Sequence, residues 1–413
     1  MRSILILAGI VLPIFLQAQI SQWRGINRDG FFNEEGLLSQ WPEEGPALVL
    51  TVENLGKGWS SPVVANNMIY ITGMKDTSDV LSAIDQSGNL VWQTPYGSSW
   101  SKSFPDTRST PTIENNKVFV TSGSGQVVCI DANTGAIVWE KNAFLDNGGE
   151  YGNWGIAENL LIVDDKIVFT CAGAQTTMIA LDKNTGDDIW KSESVNDEQA
   201  YVSPILITYN GIHQIIGLGS KILFGVEPST GKIVWSYDYC HVNNFKWDDD
   251  GVINCTSPVF YDGGLYVTSG YNHTSAKFQL KDDLSSVDFQ WENETLDNHH
   301  GGVVLIDGYL YGSNWLNNSK GNWCSLNWET GEVKFEEEFD TKGSIISTPG
   351  QIYIYTEKKG MVALVKPNSD QFEIISSFQI TEGEGAHWAH PFIQDGKLYI
   401  RHGNTLLVYN IKA

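Results

Sequence analysis

Short runs of alternating apolar and polar residues recur along the chain. Met68-Ile69-Tyr70-Ile71-Thr72, Lys117-Val118-Phe119-Val120-Thr121 and Lys166-Ile167-Val168-Phe169-Thr170 open the series. Leu265-Tyr266-Val267-Thr268, Tyr309-Leu310-Tyr311, Ile352-Tyr353-Ile354-Tyr355 and Leu398-Tyr399-Ile400 continue it. A period of two predicts half-buried β-strands. A second pattern follows several of them: AIDQSGNLVW ends at Trp92, CIDANTGAIVW at Trp139, ALDKNTGDDIW at Trp190, GVEPSTGKIVW at Trp235, and a weaker SLNWETGEVKF at Phe335. Short segments opened by Ser61-Pro62, Thr110-Pro111, Ser203-Pro204, Ser257-Pro258 or His390-Pro391 come before the alternating runs.

Each unit therefore reads as four short strands, repeated at roughly 40–55 residues as propeller blades are. Eight units can be counted. The last stops after Leu406-Leu407-Val408-Tyr409, its third strand, and Ala47-Leu48-Val49-Leu50-Thr51 is expected to supply the missing outer strand. Closure of that kind removes exposed sheet edges. No stretch reads as a long amphipathic helix. The expected fold is an all-β, eight-bladed propeller over residues 47–413, with residues 19–46 packing on it. The repeated Trp follows a Gly-containing turn by a fixed interval and is expected to pack on the neighbouring blade's turn. The Asp and Thr of DANTG and DKNTG would bond the turn backbone, and the Gly would take a positive φ. These residues read as structural, not as a ligand cage.

Charge and cysteine content narrow the function. With 26 basic and 49 acidic residues the formal charge is −23, which argues against nucleic acid and anionic membrane surfaces. Arg2, the apolar run Ile4 to Leu16 and Gln17-Ala18-Gln19 read as a secretory signal peptide over residues 1–18, too short to span a bilayer. No Cys sits at the cut, so a lipid anchor is not expected, and the mature chain should be a periplasmic or secreted monomer. The 5 cysteines are Cys129, Cys171, Cys240, Cys255 and Cys324. Cys240 and Cys255 bracket a loop that a disulfide would close, and Cys129 and Cys324 share a buried place in the repeat. Neither a CxxCH haem motif nor a CxxC pair is present.

Turns between first and second strands and between third and fourth are tight (ENNK, VDDK; DANTG, DKNTG), so one face has little room for a site. The longer connections Gln93–Ser109, Lys141–Ile156, Ser236–Thr256 and Thr381–Ala389 emerge on the other, where function usually resides. Of the 8 histidines, His241, His273, His299, His300, His387, His390 and His402 map to that face, and His213 to a tight hairpin. Asp106, Arg108, Glu158, His299 and His300 are the candidates for acid, base or charge-stabilising roles there. Trp154, Tyr201, Tyr271, His387, Trp388 and His390 are the candidates for ligand contact. Adjacent residues of an extended chain point to opposite sides, so one ring of His299-His300 is expected in the channel and the other in packing. Asp248 and Asp250, within Trp247-Asp248-Asp249-Asp250-Gly251, are a weak metal candidate because they depart from the spacing of a calcium-binding loop.

The repeat motif resembles the tryptophan-docked blades of quinoprotein alcohol dehydrogenases and of outer-membrane assembly factors of the BamB type. Gln22-Trp23-Arg24-Gly25 with Arg28-Asp29-Gly30, Trp154-Gly155-Ile156-Ala157-Glu158, Asn298-His299-His300-Gly301-Gly302 and Trp388-Ala389-His390-Pro391 are similar to exported PQQ-like β-propeller repeat proteins. The resemblance implies the propeller fold, and the His- and aromatic-rich channel mouth reads as the binding face of an exported binding or scaffold protein for an unknown protein or glycan ligand. A PQQ-dependent alcohol or sugar dehydrogenase with calcium is the alternative. That enzyme, by resemblance, holds its quinone between a Trp and an adjacent-cysteine disulfide, and no two cysteines are adjacent here. Trp154 or Trp388 would offer the stacking surface, and Asp106 or Glu158 the base. A carbohydrate-active lyase or hydrolase is a third reading, with Arg108 neutralising a uronate while a His or Tyr abstracts a proton.

Overall fold

A computed structural model describes residues 20–241 and 253–413. Residues 1–18, expected to be a signal peptide, and the acidic run with Asp248 and Asp250 lie outside the described residues.

The strands form eight antiparallel sheets, each a meander from an inner to an outer strand. Blade 1 is Val63–Ala65, Met68–Lys75, Ser78–Asp85 and Leu90–Ser98; blade 2 begins at Thr112–Glu114 and ends at Ile137–Lys141. Blades 3 to 7 start at Leu161–Val163, Ile205–Tyr209, Val259–Tyr261, Val303–Ile306 and Gly343–Thr348. Blade 8 comprises Phe392–Gln394, Lys397–His402 and Thr405–Asn410, and its outer strand is Ala47–Val52, paired antiparallel with Thr405–Asn410. N-terminal residues thus complete the C-terminal blade and close the ring.

Strands form where β-branched and aromatic residues alternate, and they bury almost completely in the two middle positions of each blade: Ile69, Val118, Phe169, Ile216, Leu310, Ile354 and Ile400 are all at most 1% exposed. The turns between third and fourth strands follow from local chemistry. Asp131 Oδ1 accepts from the N–H groups of Asn133 and Thr134 at 3.1 and 2.9 Å and from Thr134 Oγ1 at 2.8 Å. Blade-to-blade packing uses the tryptophans. Trp92 Nε1 donates to Ala132 O at 3.1 Å, Trp139 Nε1 to Lys183 O at 3.3 Å and Trp190 Nε1 to Pro228 O at 3.0 Å, each on the next blade's turn. Blade 5 has its own docking residue, Trp291, whose Nε1 donates to Trp328 O at 3.1 Å; its Gly-less turn had hidden it from the repeat pattern.

One boundary differs from expectation. The segment after Gln93 is not yet a loop, because Ser78–Asp85 is long enough to hold Leu90–Ser98 in register as far as Ser78 opposite Ser98.

The N-terminal segment does more than lie on the ring. Ile20–Ser21 pairs with the innermost strand of blade 2, adding a fifth strand inside the central channel. The chain enters beside the tight-turn end of that strand, with Ile20 opposite Glu114, reverses between Arg24 and Gly30, and returns beside blade 7, where Phe32 N–H donates to Ser347 O at 2.8 Å. Arg24 and Arg28, 4% and 2% exposed, anchor this plug. Arg24 donates from Nη1 to Ile345 O (2.8 Å) and from Nη2 to Val303 O (2.7 Å); Arg28 donates from Nη1 to Asn159 O (2.9 Å) and Pro204 O (3.0 Å). Gly302, at φ +79°, leaves room for this, since a Cβ there would lie 2.2 Å from Arg24 Nη1. Residues 33–46 then cross beneath blades 7 and 8, with Trp41 against Phe378 at 5.4 Å.

Candidate functional site

Above the plug, on the face of the long connections, lies a cavity of about 440 Å³. Each of the eight blade-to-blade connections contributes a side chain just ahead of the inner strand: Trp59, Arg108, Ala157, Tyr201, Cys255, His299 and Trp388, each at the fourth residue before it, and Lys342 directly before it. The ring is held by a belt of hydrogen bonds between successive connections. Ser61 N–H donates to Thr110 Oγ1 at 2.9 Å, Asn159 N–H to Ser203 Oγ at 3.0 Å, Ser257 Oγ to Ser203 O at 2.6 Å and Thr256 Oγ1 to His299 O at 2.9 Å. Ser344 Oγ to Ala389 O (3.2 Å) and Ser61 Oγ to His390 O (2.9 Å) carry it back to blade 1. Trp23 of the plug lies beneath, its ring edge-on to His390 at 5.2 Å.

The walls are aromatic and the polar groups are placed between them. Trp59 and Trp388 stand 4.7 Å apart and Phe104 lies 6.0 Å from Trp388. Trp154 meets Tyr201 at 5.4 Å, and Tyr271 meets His299 at 4.7 Å. Arg108 sits over the Trp59 ring at 5.1 Å and donates to the backbone carbonyls of Phe104 and Asp106; burial lowers its pKa to about 10. Across the cavity, Lys342 Nζ donates to Glu357 Oε2, while Glu357 Oε1 lies 3.3 Å from His300 Nε2. His390 Nε2 must carry its proton, because it donates to His300 O at 2.8 Å; Nδ1 then accepts from Arg24 Nη1 at 3.3 Å. Burial, reinforced by Arg24, holds His390 well below the usual imidazole range. Burial does the same to His299, whose Nδ1 has no hydrogen-bond partner among the described residues, and more mildly to His300, where Glu357 opposes it.

Arg108, Trp154, Tyr201, Tyr271, His299, His300, Trp388 and His390 all line this cavity. His299 and His300 both reach it, their rings 4.4 Å apart, so the strict alternation expected of that pair does not hold. The chain bends there: a Cβ at Gly301 would come within 1.9 Å of Gly343 O, a contact that only glycine allows. Three candidates lie elsewhere. Glu158 is buried beneath, both oxygens accepting from Thr170 N–H at 3.0 and 3.2 Å, and burial pushes its pKa up to about 8 against the pull of Arg28. His387 stacks on His402 at 3.7 Å, with Nδ1 2.6 Å from the Tyr355 hydroxyl. Asp106 is in the Arg108 connection but does not line the cavity, and its backbone carbonyl takes the guanidinium at 3.3 Å. Cys255 is a free thiol facing the cavity, so it is not bridged to Cys240.

The family profile described as outer membrane protein assembly factor BamB matches residues 76–336, more than half of the chain. The chain belongs to this family. A BamB of Kangiella koreensis is 25% identical over 188 residues, which cover 44% of this chain and 44% of that protein, so the match spans less than half the length of that relative. The crystal structure of BamB from Moraxella catarrhalis superposes with a TM-score of 0.64 at 17% identity, covering 88% of this chain and 99% of that one. Quinohemoprotein alcohol dehydrogenase from Comamonas testosteroni superposes with a TM-score of 0.69 at 13% identity, over 94% of this chain and 79% of that one. At such identities the likeness is one of fold.

In this BamB-family propeller the residues present do not fit a calcium-held quinone. Glu357 is the one carboxylate among the described lining residues, and Lys342 occupies it. Among the described residues there is no group of three or more His, Cys, Asp or Glu side chains suited to a metal, and Cys255 is flanked by Asn254 and Thr256, not by a second cysteine. Trp59, Phe104, Lys342 and Glu357 line the cavity without having been singled out from the sequence, and Trp23, quoted only as part of the family resemblance, lines it too. A signal for part of this set was present. The third residue before Pro62, Pro111, Pro204, Pro258 and Pro391 is Trp59, Arg108, Tyr201, Cys255 and Trp388, so the same dipeptides that mark the inner strands also count out the cavity ring.

Proposed function

We propose that this chain is an exported binding propeller of the BamB family, and that the cavity on its long-loop face takes a glycan. The observation that carries the reading is the ring of one side chain from every blade around a 440 Å³ space closed below by the plug. Concave, aromatic-walled sites of several hundred Å³ with a few placed polar groups suit small ligands. Trp59, Trp388 and Phe104 offer flat apolar surface, while Asn159, Tyr201, Tyr271 and the neutral imidazoles supply hydroxyl-matching donors and acceptors between them. The expected export to the periplasm or beyond would bring it to such ligands, and a folded scaffold role toward a protein partner is compatible with the same face. The test is thermal unfolding of the purified chain against a panel of oligosaccharides, with PQQ plus calcium as a further arm. A native-state ligand raises Tm by mass action. A saturable rise with a saccharide, lost in Trp388→Ala, is expected. A rise with PQQ and calcium alone would overturn the glycan reading in favour of a quinoprotein.

A further inference from the structure

We propose that the ligand of this cavity is an acidic saccharide, anchored through its carboxylate by Arg108. The proposal rests on the glycan reading above and adds the ligand's charge. A chain of net charge −23 surrounds a cavity that is not acidic. Glu357, the one lining carboxylate among the described residues, is cancelled by Lys342, whose side chain is 3% exposed and also donates to Asn318 O at 3.4 Å. What remains is Arg108. Its guanidinium carries five N–H donors in a fixed fork, and two are spent on the carbonyls of Asp106 and Phe104. The others face no carboxylate in an ion pair among the described residues. Trp59 beneath and the two carbonyls behind fix the fork, so it is arranged for a planar anion before one arrives.

The surroundings select a sugar over other carboxylates. The Trp59, Trp388 and Phe104 wall begins beside Arg108 and would lie along the apolar face of a pyranose ring. His299 and His300, kept neutral by burial, and the Tyr201 and Tyr271 hydroxyls lie around the same space and can bond ring hydroxyls without adding charge. A peptide carboxylate is the competing source. Peptides are commonly taken up along an open sheet edge or a groove, and here the ring is closed by Ala47–Val52 and the site is a bowl.

Calorimetry with digalacturonate, its neutral counterpart galactobiose, and an acetylated dipeptide with a free carboxylate tests this. Digalacturonate is expected to bind at least about tenfold tighter than galactobiose, as a charge-assisted pair in a shielded site implies, and added salt should erode that margin. Arg108→Gln should bring the acid-to-neutral ratio close to unity, while Arg108→Lys, which keeps charge and loses the fork, retains part of it; a melting curve for each variant establishes that it is folded. Equal binding of both sugars by the unaltered chain leaves the glycan reading standing and overturns the acidic one. Binding of the dipeptide alone overturns both in favour of a peptide ligand, and binding of none of the three overturns both outright.

Discussion

Arg24 and Arg28 are buried cations whose listeners are backbone carbonyls: those of Val303 and Ile345 for the first, Asn159, Leu160 and Pro204 for the second. Removing one leaves several buried acceptors without a donor, which costs more than the bonds themselves contributed. Arg24→Met is therefore expected to lower stability by about 3 kcal/mol or more, read from urea denaturation midpoints. His387 supplies a pH dependence. Its native pKa is lowered to about 4 by burial and by His402, against about 6.5 for an unfolded imidazole. Between those values the unfolded chain binds a proton that the native one does not. Stability should thus fall as pH drops from about 6.5 toward 4, by up to about 1.4 kcal/mol per pH unit from this group, and His387→Gln should flatten that slope. At this scale the sequence was only partly legible. Loop residues such as Arg108 and Trp388 could be assigned to a face by strand counting, but Glu158 and His387 are turned away by contacts with Thr170 and Tyr355 that no spacing announces.

Single blades were readable because each repeats the same local physics. The Asx turn, the positive-φ glycine and the docked tryptophan are one device, and its tolerance is small. A Cβ at Gly135, φ +73°, would sit 2.7 Å from the Trp92 ring. Gly135→Ala is expected to cost about 1–3 kcal/mol and to shift tryptophan fluorescence as Trp92 is displaced. Blade 4 departs from the device in an instructive way. Its neighbour's turn lacks glycine, and Trp235 Nε1 donates instead to Gln214 Oε1 at 2.9 Å, while Gln214 Nε2 donates to Leu284 O at 3.0 Å on blade 5. Gln214 thus relays the contact that a turn carbonyl makes elsewhere. Gln214→Leu should destabilise the blade 4–5 boundary locally, seen as faster amide exchange in Ile222–Val226 and Ser275–Leu280 than in blades 1 to 3. Neither the relay nor Trp291 was legible, because the blade 5 turn that Trp235 faces and Trp291 follows lacks the glycine on which the pattern depends.

At the scale of the molecule, two stretches near the N-terminus do separate work: Ala47–Val52 closes the ring and residues 20–32 fill its channel. Truncation can separate them. A chain beginning at residue 33 keeps the closing strand and loses the plug; it should melt at a lower temperature and lose saccharide binding while staying monodisperse. A chain beginning at residue 53 also exposes Thr405–Asn410 as a sheet edge and should self-associate, as light scattering would report. Ring closure was foreseeable from a missing fourth strand, whereas the plug was not, since its two arginines carry no periodicity. The plug has a consequence for what such a bowl can recognise. With Trp23 and the Arg24–Gly30 reversal beneath the cavity, the channel is, among the described residues, a cul-de-sac with a single door. A polymer cannot be threaded through it, so a long chain is read at its terminus or at a short branch, and its remainder stays outside the rim.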